Sequence, residues 1–72
     1  VPSRTFELSS DLIREIRESV GLSQEKFASL IHISVGTLRN WEQGRRRPVG
    51  PAAALLTAIR NDPRRVVAAL NH

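Results

Sequence analysis

An all-α fold, a compact bundle of five short helices, is predicted by three observations on this 72-residue sequence. Apolar residues recur at helical spacing, with no strand-like alternation. Serine, aspartate, glycine and proline punctuate the chain at helix-sized intervals. The stretches between these helices run from two to about seven residues, the normal length for connections in helical bundles. A chain this short makes one domain and buries only about 60% of the surface its unfolded form exposes.

The elements follow in order. Residues 1–8 read as an extended N-terminal segment, because Pro2 opposes helix there. Residues 9–72 then form the domain. Ser9 and Ser10 each offer an N-cap, and Asp11 favours a first helical turn. With Ser9 as the cap, Leu8 and Ile13 occupy the two positions of a hydrophobic staple. Ile13, Ile16 and Val20 lie on one face, and Gly21 stops this first helix. Ser23 caps a second helix of about nine residues, with Glu25 in its first turn and Phe27, Ala28 and Ile31 on its apolar face, flanked by Leu30. Ser34 caps a third, running from about Val35 to Gln43, and Gly44 ends it. Pro48 breaks any continuation. Gly50-Pro51 restarts a fourth helix whose buried stripe is Ala52, Leu55, Leu56 and Ile59. Asp62-Pro63 repeats the device for a last helix carrying Val66, Val67 and Leu70.

Composition excludes several classes. There is no cysteine, so no disulfide or thiolate metal site is expected, and His32 and His72 lie too far apart in sequence to suggest zinc. No apolar run approaches the roughly 20 residues of a membrane span, and no signal-peptide pattern opens the chain. A cytoplasmic protein without cofactor is expected. His32, Ser34 and Asp11 or Asp62 make no supported nucleophilic triad, and no phosphate loop is present, so an enzyme is not expected. The chain starts at Val1 and has no methionine, which suggests a longer native protein. The net charge is +4, and all but one of the 11 basic residues are arginine. That excess alone is a weak pointer to a polyanion. Arg45, Arg46 and Arg47 form the only basic run, which is either a solvated loop or a phosphate-contacting one.

The third helix says more. At 100° per residue, Ser34, Leu38 and Trp41 fall on one side and Gly36, Arg39, Asn40 and Gln43 on the other, with Val35 and Thr37 on the flanks. A solvated helix face more often shows lysine and glutamate. Arginine, asparagine and glutamine are suited to bidentate contact with base edges, and Gly36 would let the backbone approach a surface closely. Ala28, small and on the inner face of the second helix, lets the two helices cross steeply across a tight turn. Together these describe a helix-turn-helix over residues 23–43.

Gln24, Ala28, Ile31, Leu38 and Trp41, followed by Trp41-Glu42-Gln43-Gly44, basic residues and Pro48, resemble the helix-turn-helix of the phage repressor and Cro family, often called the XRE family. Within it, "GLSQEKFASLIHISVGTLRNWEQGRRRP" looks most like the HigA-type antitoxins of toxin–antitoxin modules. The resemblance covers about residues 8 to 70 and implies a lambda-repressor-like DNA-binding domain. One departure stands out: His32 occupies a turn position where the family usually has glycine, so a positive φ is expected there, strained but tolerable for histidine.

The resemblance assigns roles by position. Val35, Gly36, Thr37, Arg39 and Asn40 would face the major groove. Gln24, Lys26, Ser34, Gln43, Arg45, Arg46 and Arg47 would lie near phosphates; Gln24 is otherwise a plain surface residue. Arg17 and Glu42 would form an ion pair between the first and third helices, keeping the acid off the phosphates. Val66, Val67 and Leu70 would make a dimer contact or, alternatively, close the monomer core. The function implied is a sequence-specific repressor of double-stranded operator DNA, acting as a homodimer. It would be the antitoxin of a type II module, repressing its own operon and holding a toxin through an N-terminal segment absent here. The alternatives are a phage or mobile-element repressor without a toxin partner, and a protein-interaction module on the same fold.

Overall fold

A computed structural model describes residues 8–71. The extended segment expected at the N-terminus lies outside them except for Leu8, as does His72. The described residues form five helices and no strand: α1 (Ser10–Ser19), α2 (Gln24–Leu30), α3 (Val35–Glu42), α4 (Pro51–Asn61) and α5 (Pro63–Leu70). The second helix has seven residues rather than about nine, and the third ends one residue before Gln43, which serves as its C-cap. In both, the last turn unwinds into the cap.

Each start signal acts through its side chain. Ser9, Ser23, Ser34 and Asp62 accept hydrogen bonds from the backbone N–H of Leu12, Lys26, Thr37 and Arg65. Each bond satisfies a donor that a helix start leaves without a partner. With Ser9 as the cap, Leu8 and Ile13 hold the staple positions, and both are buried. The fourth helix lacks a side-chain cap and begins instead with proline at its first position.

The ends of α2 and α3 share one device. At α3, Gly44 (φ 78°) donates to the Trp41 carbonyl and Arg45 donates to the Asn40 carbonyl at 2.9 Å. At α2, His32 (φ 63°) donates to the Ser29 carbonyl and Ile33 to the Ala28 carbonyl at 2.9 Å. Both are Schellman motifs with a left-handed residue just past the helix. His32 is the one non-glycine residue with positive φ among the described residues, and it sits where the sequence suggested strain. This turn sets the angle at which α3 leaves α2.

The core is Leu8, Ile13, Ile16, Phe27, Ala28, Ile31, Leu38, Trp41, Leu56 and Ile59. Ala52 and Leu55, expected within the buried stripe of α4, pack on its margin. Helix α3 packs on both α1 and α2, α1 also packs on α4, and α5 packs on α4. Helix α3 is thus held from two sides, while α5 has no residue fully buried.

Candidate nucleic-acid interface

Helix α3 divides sharply. Leu38, Trp41 and Glu42 are buried, while Gly36, Arg39 and Gln43 are exposed and Thr37 and Asn40 half-exposed. Val35 is half-buried and packs against the core margin. Ser34 departs from the helical wheel: it is exposed, because its hydroxyl caps Thr37 N–H (3.1 Å) and pairs with the Thr37 hydroxyl (2.8 Å) at the open end of the helix. A Cβ added at Gly36 would meet only the Ser34 hydroxyl oxygen, at 3.9 Å, an ordinary contact. Packing within the chain therefore does not require glycine there.

Beyond α3, Arg45, Arg46 and Arg47 are all exposed. Arg46 and Arg47 line one cleft with Thr37 and Asn40, alongside Trp41, Pro48, Val49 and Ala52. The basic run and the outward face of α3 are therefore one surface. Val49, on the rim of that cleft, is the most exposed large apolar residue described, at 76%. Lys26 is exposed on α2.

The acid inside this basic surface is locked away. Glu42 is 4% exposed. Arg17 grips it side-on, Nε donating to Oε2 at 2.7 Å and Nη2 to Oε1 at 3.2 Å. Arg17 Nη1 also donates to the Leu22 carbonyl, and Arg14 Nη2 to the Glu42 carbonyl. Burial alone would push the Glu42 carboxyl up. The hydrogen bonds from Arg17 and then Gln24, with the charges of Arg17 and Arg14, outweigh it and hold the carboxyl below its ordinary range. In Arg17 the hydrogen bond to Glu42 dominates and raises the guanidinium against the effect of burial. Two-pronged arginine–carboxylate pairs combine charge with fixed geometry, so this one pins α1 to α3.

Gln24 does something the sequence did not suggest. Its Nε2 donates to Glu42 Oε1 at 3.0 Å, and its Oε1 accepts from Arg39 Nε at 3.4 Å. A carboxylate only accepts, so the amide nitrogen must face Glu42 and the oxygen must face Arg39. The side chain expected to reach a phosphate is thus largely turned along the protein surface. Contacts between residues 15 and 18 positions apart leave no local pattern, which is why sequence reasoning missed them.

Of the residues expected at a dimer contact, Val66 and Leu70 pack against the core margin. Val67 instead lines shallow clefts beside Val20, one of them with Leu22 and Leu30. No helix among the described residues is long and apolar enough to cross a membrane.

Comparison with known proteins agrees with this geometry. A family model described as Helix-turn-helix matches residues 13–56, from the middle of α1 into α4. Antitoxin HigA-2 of Vibrio cholerae is 46% identical over 56 residues, 78% of this chain and 54% of that relative, so the chain spans about half the relative's length. A crystal structure of an XRE-family-like helix-turn-helix protein from Agrobacterium tumefaciens superposes with a TM-score of 0.70 at 50% identity, covering 81% of this chain and 94% of that one. With a family match that takes in α2, α3 and the turn between them, the chain belongs to the XRE family of helix-turn-helix DNA-binding domains.

Proposed function

We propose that this chain is a sequence-specific repressor that reads duplex DNA with the outward face of α3, and that it is the antitoxin of a type II toxin–antitoxin module repressing its own operon. The observation that carries the DNA-reading part is the composition of that face. Gly36, Arg39, Asn40 and Gln43 stand outward on a helix whose opposite side is buried, and no packing within the chain explains Gly36. A surface approaching from outside does explain it.

The roles then follow from chemistry. Asn40 suits adenine, Arg39 suits guanine, and the methyl groups of Val35 suit a thymine methyl. Arg45, Arg46 and Arg47, with Lys26 and Gln43, contact phosphates, which position the protein and supply salt-sensitive affinity without sequence information. The Ser34 hydroxyl caps α3 beside that backbone. Arg17 holds Glu42 so that its charge does not repel the phosphates. One recognition helix reads only a few base pairs, so the chain acts as a homodimer on two half-sites about one helical turn apart. Val67 is the apolar residue of α5 best placed for the dimer contact, with Val66 and Leu70 behind it. The antitoxin part rests on the likeness to the Vibrio relative, and it implies a toxin protein as second partner and a cytoplasmic location.

A binding titration against the promoter upstream of its own gene and a scrambled duplex, at two salt concentrations, tests this reading. The expected result is preference for the promoter, weaker binding at higher salt and two chains per site. Equal binding to both duplexes would sink sequence-specific repression. No binding to either would favour a protein-interaction module. Promoter preference with no toxin gene adjacent would leave a repressor and remove the antitoxin.

A further inference from the structure

Resting on the reading of α3 as the DNA-facing helix, we propose that Glu25 is a positioning residue that aims Arg39 at a guanine and so sets one base preference from outside the recognition helix. The guanidinium of Arg39 is held along one edge. Its Nε donates to Gln24 Oε1 and its Nη2 to Glu25 Oε2, both at 3.4 Å. These are the two nitrogens of the side edge. The end edge, Nη1 with the second hydrogen of Nη2, makes no hydrogen bond or ion pair with the described residues. It presents two parallel N–H donors, the pattern that matches O6 and N7 of guanine in the major groove.

The clamp has a built foundation. Glu42, buried and gripped by Arg17, accepts from the Gln24 amide nitrogen and thereby turns the Gln24 oxygen toward Arg39. From the buried Glu42 the contacts run outward through the half-buried Gln24 to Arg39 and Glu25, whose side chains are 48% and 66% exposed. A long arginine side chain ordinarily loses conformational freedom when it binds. One fixed in advance along its side edge loses less.

Glu25 is exposed and stands in the first turn of α2, so its substitution leaves the core untouched, and a thermal melt of each variant checks this. The probe is a pool of duplexes with a randomised central segment, bound by the protein and sequenced. The wild type is expected to enrich a motif containing guanine at a position whose preference Arg39→Ala lowers by about tenfold or more. Glu25→Ala is expected to lower that same preference by about threefold to tenfold and no other. Glu25→Gln, which keeps an acceptor oxygen, is expected to retain most of it. An unchanged guanine preference in Glu25→Ala would overturn the inference, as would equal loss in Glu25→Ala and Glu25→Gln, which would show charge rather than a placed acceptor at work. If the wild type enriches a motif and Arg39→Ala weakens binding without altering any base preference, the inference fails while DNA reading stands. If the wild type enriches nothing, both fail.

Discussion

Helices α3 and α5 have the same length, eight residues, and start the same way, on a side chain that caps the first turn. They differ in what they bury. Helix α3 sinks Leu38, Trp41 and Glu42 between α1 and α2, whereas α5 buries no residue fully and rests on α4. A helix held from two sides by apolar packing and a two-pronged ion pair has one orientation. Its outer face can therefore be a fixed pattern of donors and acceptors. A helix packed chiefly on one neighbour serves as cover, and its outer side is open to another molecule.

The largest effects should come from the core side of this contrast. Leu38 is fully buried, so Leu38→Ala loses transfer energy and leaves a cavity, costing about 3–4 kcal/mol. For a domain of this size, whose whole stability is roughly 4–11 kcal/mol, urea titration should show about a third or more of the folding free energy gone. Leu70→Ala, on half-buried α5, should cost about 1 kcal/mol. Equal losses would break the contrast. A Leu70→Ala loss that grows with protein concentration would sharpen it instead, because it would place α5 in a dimer contact.

The ion pair comes next. Arg17→Ala strips the charge partner from a carboxylate that stays buried and should cost about 2–3 kcal/mol. Gln24 and Arg14 remain to blunt the loss. The pH dependence has a definite sign. The Glu42 carboxyl is held below its ordinary value in the folded protein, so the folded state favours the ionised form. That stability is fully present above the ordinary glutamate value of about 4.3 and is lost as pH falls through and below it. Melting temperature against pH should therefore drop steeply on the acid side in the wild type and less steeply in Arg17→Ala. Parallel curves would show that the pair does not couple folding to pH.

The interior and the surface differ in how far the sequence shows them. The caps at Ser9, Ser23, Ser34 and Asp62 and the reversals at Gly21 and Gly44 are local, so each was legible from residues within four positions. The outward set Gly36, Arg39, Asn40 and Gln43 followed from helical period alone. Glu42 did not, because a charged residue at a helix edge reads as solvent-facing until the chain folds Arg17, 25 positions away, onto it. Only the family resemblance suggested that pair. The Gln24 bridge and the Glu25–Arg39 contact were invisible for the same reason: both depend on how α2 crosses α3, which no period encodes.

On the outer side of α3 the effects should appear in binding rather than folding. Asn40→Ala should cost about 1–3 kcal/mol of specific affinity and relax one operator position, leaving random DNA bound as before. Arg46→Ala should weaken both alike and lower the slope of log affinity against log salt by about one. Competition titrations at several salt concentrations separate the two. If Asn40→Ala also weakened random DNA equally, the outer face would be an electrostatic surface and not a reading one.

The smallest effect concerns the turn that joins the two sides. His32 holds φ 63° in the Schellman motif closing α2, a conformation that costs an L-residue roughly 1–2 kcal/mol relative to right-handed backbone. Glycine would remove that cost but would add about 0.4–1 kcal/mol of freedom to the unfolded chain. The balance for His32→Gly is a gain of about 0.5 kcal/mol, or some 2–4 °C in Tm for a domain of this length. His32→Ala should fall below both, since alanine keeps the Cβ and loses whatever the ring contributes. A lower Tm for glycine than for histidine would mean that the exposed imidazole makes a stabilising contact larger than its backbone strain. The turn would then be held by its side chain, and the angle between α2 and α3 would depend on more than the hydrogen bonds of Ile33 and His32.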